Sequence, residues 1–135
     1  MTEITGVIAL QSDVVQARQA AREMAKNLGF GSADQTRLAT AISELTRNVI
    51  QYADQGRYTI TDKSDNGRIK VQVVVEDNGP GILDITKALE YGYSTGAGLG
   101  AGLPGTRRLV HRFTIESKPG QTRITVAMIK KISHS

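Results

Sequence analysis

Apolar residues recur three and four positions apart through most of the first half of the chain, which is the spacing of one face of an α-helix. The first such stripe predicts a helix over residues 14–28, with Ser12 as its cap. A short strand over residues 4–10, broken by Gly6, precedes it. The chain is therefore predicted to begin with one strand and one helix.

A second helical stripe is the longest in the sequence. Its apolar members are Leu38, Ala41, Ile42, Leu45, Val49 and Tyr52. Ser32, with Gln35 three positions later, resembles a capping box and predicts where this helix begins. The stripe predicts that the helix continues to about Ala53.

Beyond Gly56 the apolar residues alternate instead, which is the spacing of a strand with one buried face. Two alternating runs, at 58–60 and 69–75, flank the turn signal Asp65-Asn66-Gly67. An Asn-Gly pair supplies the positive φ angles that tight hairpin turns require, so an antiparallel pair is predicted. Two further strands are predicted at 113–116 and 122–129, with a turn at Pro119-Gly120 between them.

A glycine-rich segment separates the two hairpins, since 8 of the 14 glycines lie within residues 77–105. Helices are predicted at 84–91 and at 104–111, where Pro104 suits the first turn. The tail at 130–135 is expected to fray. Strands that mostly pair with neighbours, with helices gathered between them, predict a two-layer α/β sandwich: a mixed, mostly antiparallel sheet with helices on one face.

Composition narrows the class of protein. A length of 135 residues suits one domain over 1–135. The absence of cysteine excludes disulfide frameworks, thiolate zinc sites and cysteine nucleophiles, and with no apolar signal segment it predicts a cytoplasmic protein. The apolar runs are far shorter than the roughly 20 residues that cross a bilayer. The net charge of +4 leaves nucleic acids, anionic nucleotides and acidic proteins open as partners.

The first candidate for chemistry is a pair of polar residues on the second helix. Glu44 and Asn48 stand four positions apart and therefore share a face. Because Leu45 and Val49 directly follow them, they lie at the border of the apolar stripe. A carboxylate can accept a proton, and an amide oxygen can coordinate Mg²⁺. A solvated helix face is the alternative interpretation of this pair.

The second candidate follows the valine-rich strand, at residues 76–81. Asp77 leaves a buried strand and is followed by Gly79 and Gly81. Such a carboxylate can accept a hydrogen bond from the exocyclic amine of a purine, in a pocket whose backbone bends tightly around the ligand. An ordinary Asp-Asn-Gly turn is the alternative.

The third candidate is the run of alternating glycines at 96–105, which leads into a predicted helix. Successive N–H groups of such a run can turn toward one anion, and the helix adds its positive end. The run is not a Walker A loop, because no Gly-Lys-Ser/Thr sequence occurs. A flexible linker is the alternative, but the apolar side chains of Leu99 and Leu103 would then be exposed to solvent.

In this order, three motifs resemble the N, G1 and G2 boxes of the GHKL ATP-binding superfamily: Glu44-x-x-x-Asn48, Asp77-x-Gly79-x-Gly81 and Gly98-x-Gly100-x-Gly102. Among its branches, a domain of this length resembles the anti-sigma and switch kinases. Residues 41–48 and 92–105 resemble the RsbT-type switch kinases of the stressosome. The resemblance implies a Bergerat-type α/β sandwich, ATP and Mg²⁺ as cofactors, and serine/threonine protein kinase activity.

The resemblance also implies roles for individual residues. Glu44 is expected to be the general base toward a substrate serine or threonine hydroxyl, and Asn48 to hold Mg²⁺. Asp77 is expected to receive the adenine amino group, with Gly79 and Gly81 permitting close approach. An ATP lid is expected over about 82–105. Its nucleotide contacts would come from Gly98, Leu99, Gly100, Ala101, Gly102 and Leu103.

Thr122 is also expected to contact the adenine. Proteins of this family usually have a Gly-Thr pair at this place, whereas this sequence has Gln121-Thr122. The resemblance further implies partner switching. Such a kinase is held by STAS-domain scaffold and antagonist proteins, phosphorylates them on serine or threonine during stress, and is released to activate a PP2C-type phosphatase.

Two other functions remain open from the sequence. The first is an ATP-binding anti-sigma or partner-binding module without phosphotransfer, against which an intact Glu44 argues. The second is a basic nucleic-acid-binding domain. An aromatic content of 4% leaves such a domain little surface on which bases could stack.

Overall fold

The computed structural model describes residues 2–53, 55–79 and 102–132, and these form five strands and three helices. In chain order they are β1 (Glu3–Ile8), α1 (Gln11–Leu28), α2 (Ser32–Tyr52), β2 (Gly56–Asp62), β3 (Arg68–Asp77), α3 (Gly102–Leu109), β4 (Arg112–Lys118) and β5 (Gln121–Lys131). The strands make one sheet in the order β1-β2-β3-β5-β4. The two long helices pack on each other and on this sheet, which confirms the two-layer α/β sandwich.

Every strand pair in these ranges is antiparallel, so the expectation of a mixed sheet is wrong. For β1 and β2, the reason is that two helices connect them. A single helix would return the chain to where β1 began and make the next strand parallel. Two successive helices return it instead to the end where β1 finished, and β2 therefore runs back along β1.

The core lies between the helices and one face of the sheet. On β3 the alternating residues Val71, Val73 and Val75 are buried on this face. The apolar stripe predicted for the second helix is buried as well, at Leu38, Ala41, Ile42, Leu45 and Val49, but its last predicted member, Tyr52, is exposed at the end of the helix. Alternation on the strand and the three-to-four spacing on the helix thus identified the two surfaces that meet.

β1 is continuous, so the prediction that Gly6 breaks it is wrong. Gly6 lies opposite Tyr58 on β2, and a Cβ at Gly6 would meet the ring of that tyrosine. Tyr58 is buried. The glycine therefore makes room for a buried aromatic ring and does not end the strand.

α1 begins one residue before Ser12, so the prediction that Ser12 caps it is wrong. Asp13 holds the first turn instead. Its carboxylate accepts hydrogen bonds from the backbone N–H groups of Ala9 and Leu10, both at 2.9 Å. These two bonds hold the pKa of Asp13 below its ordinary value. Gly29, with a φ of 102°, ends the helix in the left-handed region.

The capping box predicted for the second helix is also wrong. α2 begins at Ser32 itself, and the preceding Gly31 makes no side-chain capping bond. Gln35 uses its side-chain amide to donate a hydrogen bond to the carbonyl oxygen of Phe30, at 2.8 Å. The helix ends at Tyr52, one residue before its predicted end.

Both predicted hairpin turns are present, but the first has a different geometry. Neither Asn66 nor Gly67 has a positive φ. The carboxylate of Asp65 instead accepts hydrogen bonds from the N–H groups of Gly67 and Arg68, both at 2.9 Å, so a side chain closes this turn. The second turn, at Pro119-Gly120, does place its glycine at a φ of 86°.

Two boundaries near the C-terminus differ from prediction. α3 ends at Leu109, two residues early, and β5 continues to Lys131, so the first residues of the tail expected to fray belong to a strand paired with β3. The helix predicted at 84–91 and residues 133–135 lie outside the described residues. No helix within the described ranges is long and apolar enough to cross a membrane.

Candidate active site

The candidate site is built around the end of β3, where Asp77 is the last residue of the strand. In the antiparallel register Asp77 lies directly opposite Gly56 on β2 and Thr122 on β5. Side chains of direct cross-strand partners have Cβ atoms about 4.5–5.5 Å apart. Thr122 therefore lies beside Asp77 on the core face, although Gln121 replaces the glycine of the usual pair.

Gly56 leaves space on the other side of Asp77. A Cβ at Gly56 would lie 2.8 Å from Cγ1 of Val49 and 3.3 Å from Cβ of Asp77, and would also meet the carbonyl oxygen of Glu76. Because Val49 directly follows Asn48, the close approach of α2 to the backbone at Gly56 brings the helix that carries Asn48 next to the end of β3. Sequence reasoning missed Gly56, although counting equally outward from the hairpin turn pairs it with Asp77.

The environment of Asp77 changes its acidity. Its carboxyl group is half-buried, and burial raises the pKa of Asp77 above its ordinary value. The N–H of Gly79 donates a hydrogen bond to Oδ1 at 2.9 Å and lowers the pKa of Asp77 by a smaller amount. An ionised carboxylate has about four acceptor sites, so Asp77 can accept a second hydrogen bond from a ligand amine.

The loop after β3 is attached to the loop that follows α2. Asn78 donates its backbone N–H to the carbonyl of Gln55 at 3.4 Å, and its side-chain oxygen accepts from the N–H of Gln55 at 3.3 Å. Gly79 is buried against the end of the helix, because a Cβ there would lie 3.0 Å from that of Ala53 and 3.1 Å from the carbonyl oxygen of Tyr52. Sequence reasoning missed this anchoring role of Asn78.

α2 carries Glu44 and Asn48 at the edge of the core, as their spacing predicts. The side chain of Glu44 is only 19% exposed, and its Oε1 accepts a hydrogen bond from Nη1 of Arg47 at 3.0 Å. The neighbouring Leu45 and Val49 are almost fully buried. The structure therefore does not support the interpretation of this pair as a solvated helix face.

Asn48 presents an unusual polar atom. Its Oδ1 is buried and has no hydrogen-bond partner among the residues that the structure describes. Leaving such an oxygen unpaired costs about 1–3 kcal/mol, so an atom of this kind calls for an explanation. An amide oxygen is a suitable Mg²⁺ ligand, and the position of Asn48 therefore fits the magnesium expected there.

The glycine-rich candidate is described only at its end. Gly102 and Leu103 form the first turn of α3, which packs against α2, and Leu103 contacts the core. Five predicted nucleotide contacts lie outside the described residues: Gly81, Gly98, Leu99, Gly100 and Ala101. The structure thus brings together Asp77, Gly79 and Thr122 at the end of β3, with Asn48 close by.

The family is given by comparison with known proteins. Residues 33–132 match the family model of histidine kinase-, DNA gyrase B- and HSP90-like ATPases. The chain belongs to this ATPase family. The matched stretch includes α2, β3 and β5, the elements that carry the candidate site of this family member.

A relative of known activity places the chain within this ATPase family. The serine/threonine-protein kinase RsbT of Bacillus subtilis (strain 168) is 49% identical to it over 114 residues, which cover 84% of this chain and 86% of that protein. The chain is accordingly a serine/threonine kinase of the RsbT type.

Solved structures agree on the fold. The RsbU and RsbW domains of Rv1364c from Mycobacterium tuberculosis match with a TM-score of 0.68 at 18% identity, over 95% of this chain and 32% of that one. The mycobacterial sensor histidine kinase MprB matches with a TM-score of 0.58 at 17% identity, over 93% and 97% of the two chains. This chain spans about a third of the length of the first and nearly all of the second.

Proposed function

We propose that this kinase transfers the γ-phosphoryl group of ATP to serine or threonine hydroxyls of partner proteins in a partner-switching pathway. The observation that carries the proposal is the pair on α2. Glu44 offers a carboxylate on a half-buried side chain, and one turn away Asn48 offers a buried oxygen without a partner in the described part of the chain. A carboxylate suits proton acceptance, and an amide oxygen suits Mg²⁺.

Adenine is proposed to bind at the end of β3. Asp77 accepts a hydrogen bond from the exocyclic amine, and the hydroxyl of Thr122 contacts the same edge of the base. The register supports this, because the two residues are direct partners on adjacent strands. Gly79 and, by extension of the same motif, Gly81 let the backbone approach the base.

The phosphates are proposed to bind where the chain enters α3, within a lid over about 82–105. The backbone contacts proposed are Gly98, Leu99, Gly100, Ala101, Gly102 and Leu103. The first N–H groups of a helix have no intrahelical partner and favour anions. Since α3 packs on α2, these groups lie in the same layer as Asn48. When bound, Mg²⁺ supplies positive charge to the phosphate oxygens during transfer.

Glu44 is proposed to accept the proton of the substrate hydroxyl as its oxygen attacks the γ-phosphorus. The bond from that phosphorus to the bridging oxygen breaks, and ADP leaves with the electron pair. Arg47 holds one carboxylate oxygen of Glu44 at 3.0 Å, which leaves the other oxygen to take the proton. The chain's contribution is mainly positioning, as in other phosphoryl transfers.

The partners are proposed from the relationship to RsbT. They are STAS-domain scaffold and antagonist proteins of a stressosome as substrates and, after release, a PP2C-type phosphatase that the kinase activates by binding. The proposed location is the cytoplasm, and neither nucleic acid nor membrane is proposed as a partner. The net charge of +4 suits a triphosphate and an acidic docking surface.

Incubation with radiolabelled ATP, Mg²⁺ and a STAS-domain antagonist encoded beside this protein tests the proposal. Label should appear on a serine or threonine of the antagonist and should require Mg²⁺. Glu23→Ala, which removes an exposed carboxylate from α1, is the matched control for Glu44→Ala and should transfer phosphate at the wild-type rate. Intact ATP binding without any transfer would contradict a kinase. Partner release by a non-hydrolysable ATP analogue would then indicate a module that only senses nucleotide.

A further inference from the structure

A pair of hydroxyl groups lies next to the proposed adenine site. Ser117 on β4 and Thr122 on β5 are direct partners in the register, and their side-chain oxygens are 2.9 Å apart. Thr122 is only 5% exposed. The short turn at Pro119-Gly120 connects the two strands and fixes this pairing.

Three side chains therefore form one row across the end of the sheet. Asp77 on β3 lies opposite Thr122 on β5, which lies opposite Ser117 on β4. All three belong to the core face, because Asp77 and Thr122 continue the alternation of buried residues on their strands and Ser117 continues the alternation of half-buried residues on β4. Ser117 is thus one strand further from Asp77, and the side chain of Thr122 lies between the two.

The direction of the hydroxyl–hydroxyl bond decides what Thr122 can do. A hydroxyl has one hydrogen to donate and two lone pairs that accept. If Thr122 donates to Ser117, its hydrogen is used and it can only accept from a ligand. If Ser117 donates instead, Thr122 keeps its hydrogen for the ligand.

The chemistry of adenine distinguishes these two cases. Its amino group is a donor, and the adjacent ring nitrogen N1 is an acceptor. Asp77 accepts from the amine, so the neighbouring position requires a donor, either directly or through one bound water. Thr122 is such a donor only when Ser117 supplies the hydrogen of their shared bond.

We propose that Ser117 is a positioning residue that donates to Thr122, leaves the Thr122 hydroxyl free to donate toward N1, and thereby selects adenine. This inference rests on the proposed function, since it assumes that adenine binds beside Asp77. It assigns recognition of N1 to a pair of hydroxyl groups and recognition of the amine to the carboxylate.

Three nucleotides separate the two halves of this recognition: ATP, 1-deaza-ATP, which lacks only the N1 acceptor, and the triphosphate of purine riboside, which lacks only the amine. Their dissociation constants are to be measured with the wild type, Ser117→Ala and Ser117→Thr. The wild type should bind ATP about five- to tenfold more tightly than 1-deaza-ATP, the usual contribution of one hydrogen bond. Ser117→Ala should reduce that ratio to about twofold or less, and Ser117→Thr, which keeps a hydroxyl, should restore it.

The preference of the wild type for ATP over the purine riboside nucleotide should survive in Ser117→Ala, because Asp77 is unchanged. Thr114→Ala, on the exposed face of the same strand, should leave every ratio as in the wild type. If Ser117→Ala instead damaged the fold, the binding of all three nucleotides would weaken in parallel, and that result would overturn the inference. An unchanged ratio of ATP to 1-deaza-ATP in Ser117→Ala would also overturn it while ATP binding and the proposed function stand. Failure of the wild type to bind ATP would overturn both.

Discussion

Asp77 on β3 and Thr122 on β5 are direct partners in the antiparallel register, although they are 45 positions apart in the sequence. Both side chains lie on the face of the sheet that the helices cover. The pairing requires β5 to lie between β3 and β4, an order that no local pattern in the sequence specifies. The proposed adenine site is thus a product of sheet order.

Replacing Asp77 by asparagine should weaken ATP binding and stabilise the free protein at neutral pH. The pKa of Asp77 is raised by burial, so its contribution to stability is present below the unfolded pKa, about 3.9, and is lost as the pH rises through the folded pKa. The melting temperature of Asp77→Asn should therefore exceed that of the wild type increasingly as the pH rises from about 4 toward 7. Calorimetry across this range measures the difference.

Asp65→Asn provides a control of opposite sign. Hydrogen bonds from Gly67 and Arg68 keep the pKa of Asp65 below its ordinary value. Its stabilising contribution is present above the unfolded pKa and is lost as the pH falls through the folded pKa. Asp65→Asn should thus be less stable than the wild type at neutral pH and similar to it in acid. The same sign for both variants would contradict the assigned environment of Asp77.

Gly56→Ala should both destabilise the protein and weaken ATP binding, because the added methyl group meets Val49 and the backbone beside Asp77. Overpacking of this kind typically costs about 1–3 kcal/mol. Gly67→Ala is the matched control at the other end of the same hairpin, where the nearest atom would be 3.8 Å away. Urea unfolding and ATP titration measure both effects. Equal stability of the two variants would show that the space at Gly56 is not needed.

Asn78→Ala should loosen the loop that directly follows Asp77, because both hydrogen bonds to Gln55 depend on the position of Asn78. A loss of about 1 kcal/mol of stability is expected, together with weaker ATP binding. Asn27→Ala, an exposed position near the end of α1, is the control. Hydrogen exchange at the N–H of Gln55 reports the anchoring bond directly. Unchanged protection there would contradict an anchoring role.

Asn48→Leu should leave the free protein as stable as the wild type or more stable, because it removes a buried oxygen that has no partner in the described part of the chain. Phosphotransfer should nevertheless fall by more than about 100-fold, since the Mg²⁺ ligand is lost. Thermal unfolding and transfer assays over a range of Mg²⁺ concentrations measure the two effects. A large loss of stability with normal transfer would assign Asn48 to the fold.

The repeating patterns of the sequence predict the fold well, and its local polar signals predict less. The stripe of α2 has enough buried members to locate the helix within one residue at its end. Ser12 and Ser32 fail as caps because both lie inside their helices, which begin at Gln11 and at Ser32. A serine caps a helix only when the helix begins directly after it, and residue type alone does not decide where that is.

In the candidate site too, sequence patterns locate some residues and miss others. Glu44 and Asn48 are one turn apart on a single helix, so sequence spacing places them on the core border correctly. Gly56 and Asn78 were missed because their contacts are with residues on other elements. The roles assigned to all of these residues remain predictions.

The most direct test of the central claim is the rate of phosphotransfer by Glu44→Ala, measured beside its affinity for ATP. ATP binding should stay close to that of the wild type, and transfer should fall by about 100-fold or more, the usual contribution of a general base. Transfer to the antagonist at the wild-type rate would contradict the assignment of Glu44 as the general base.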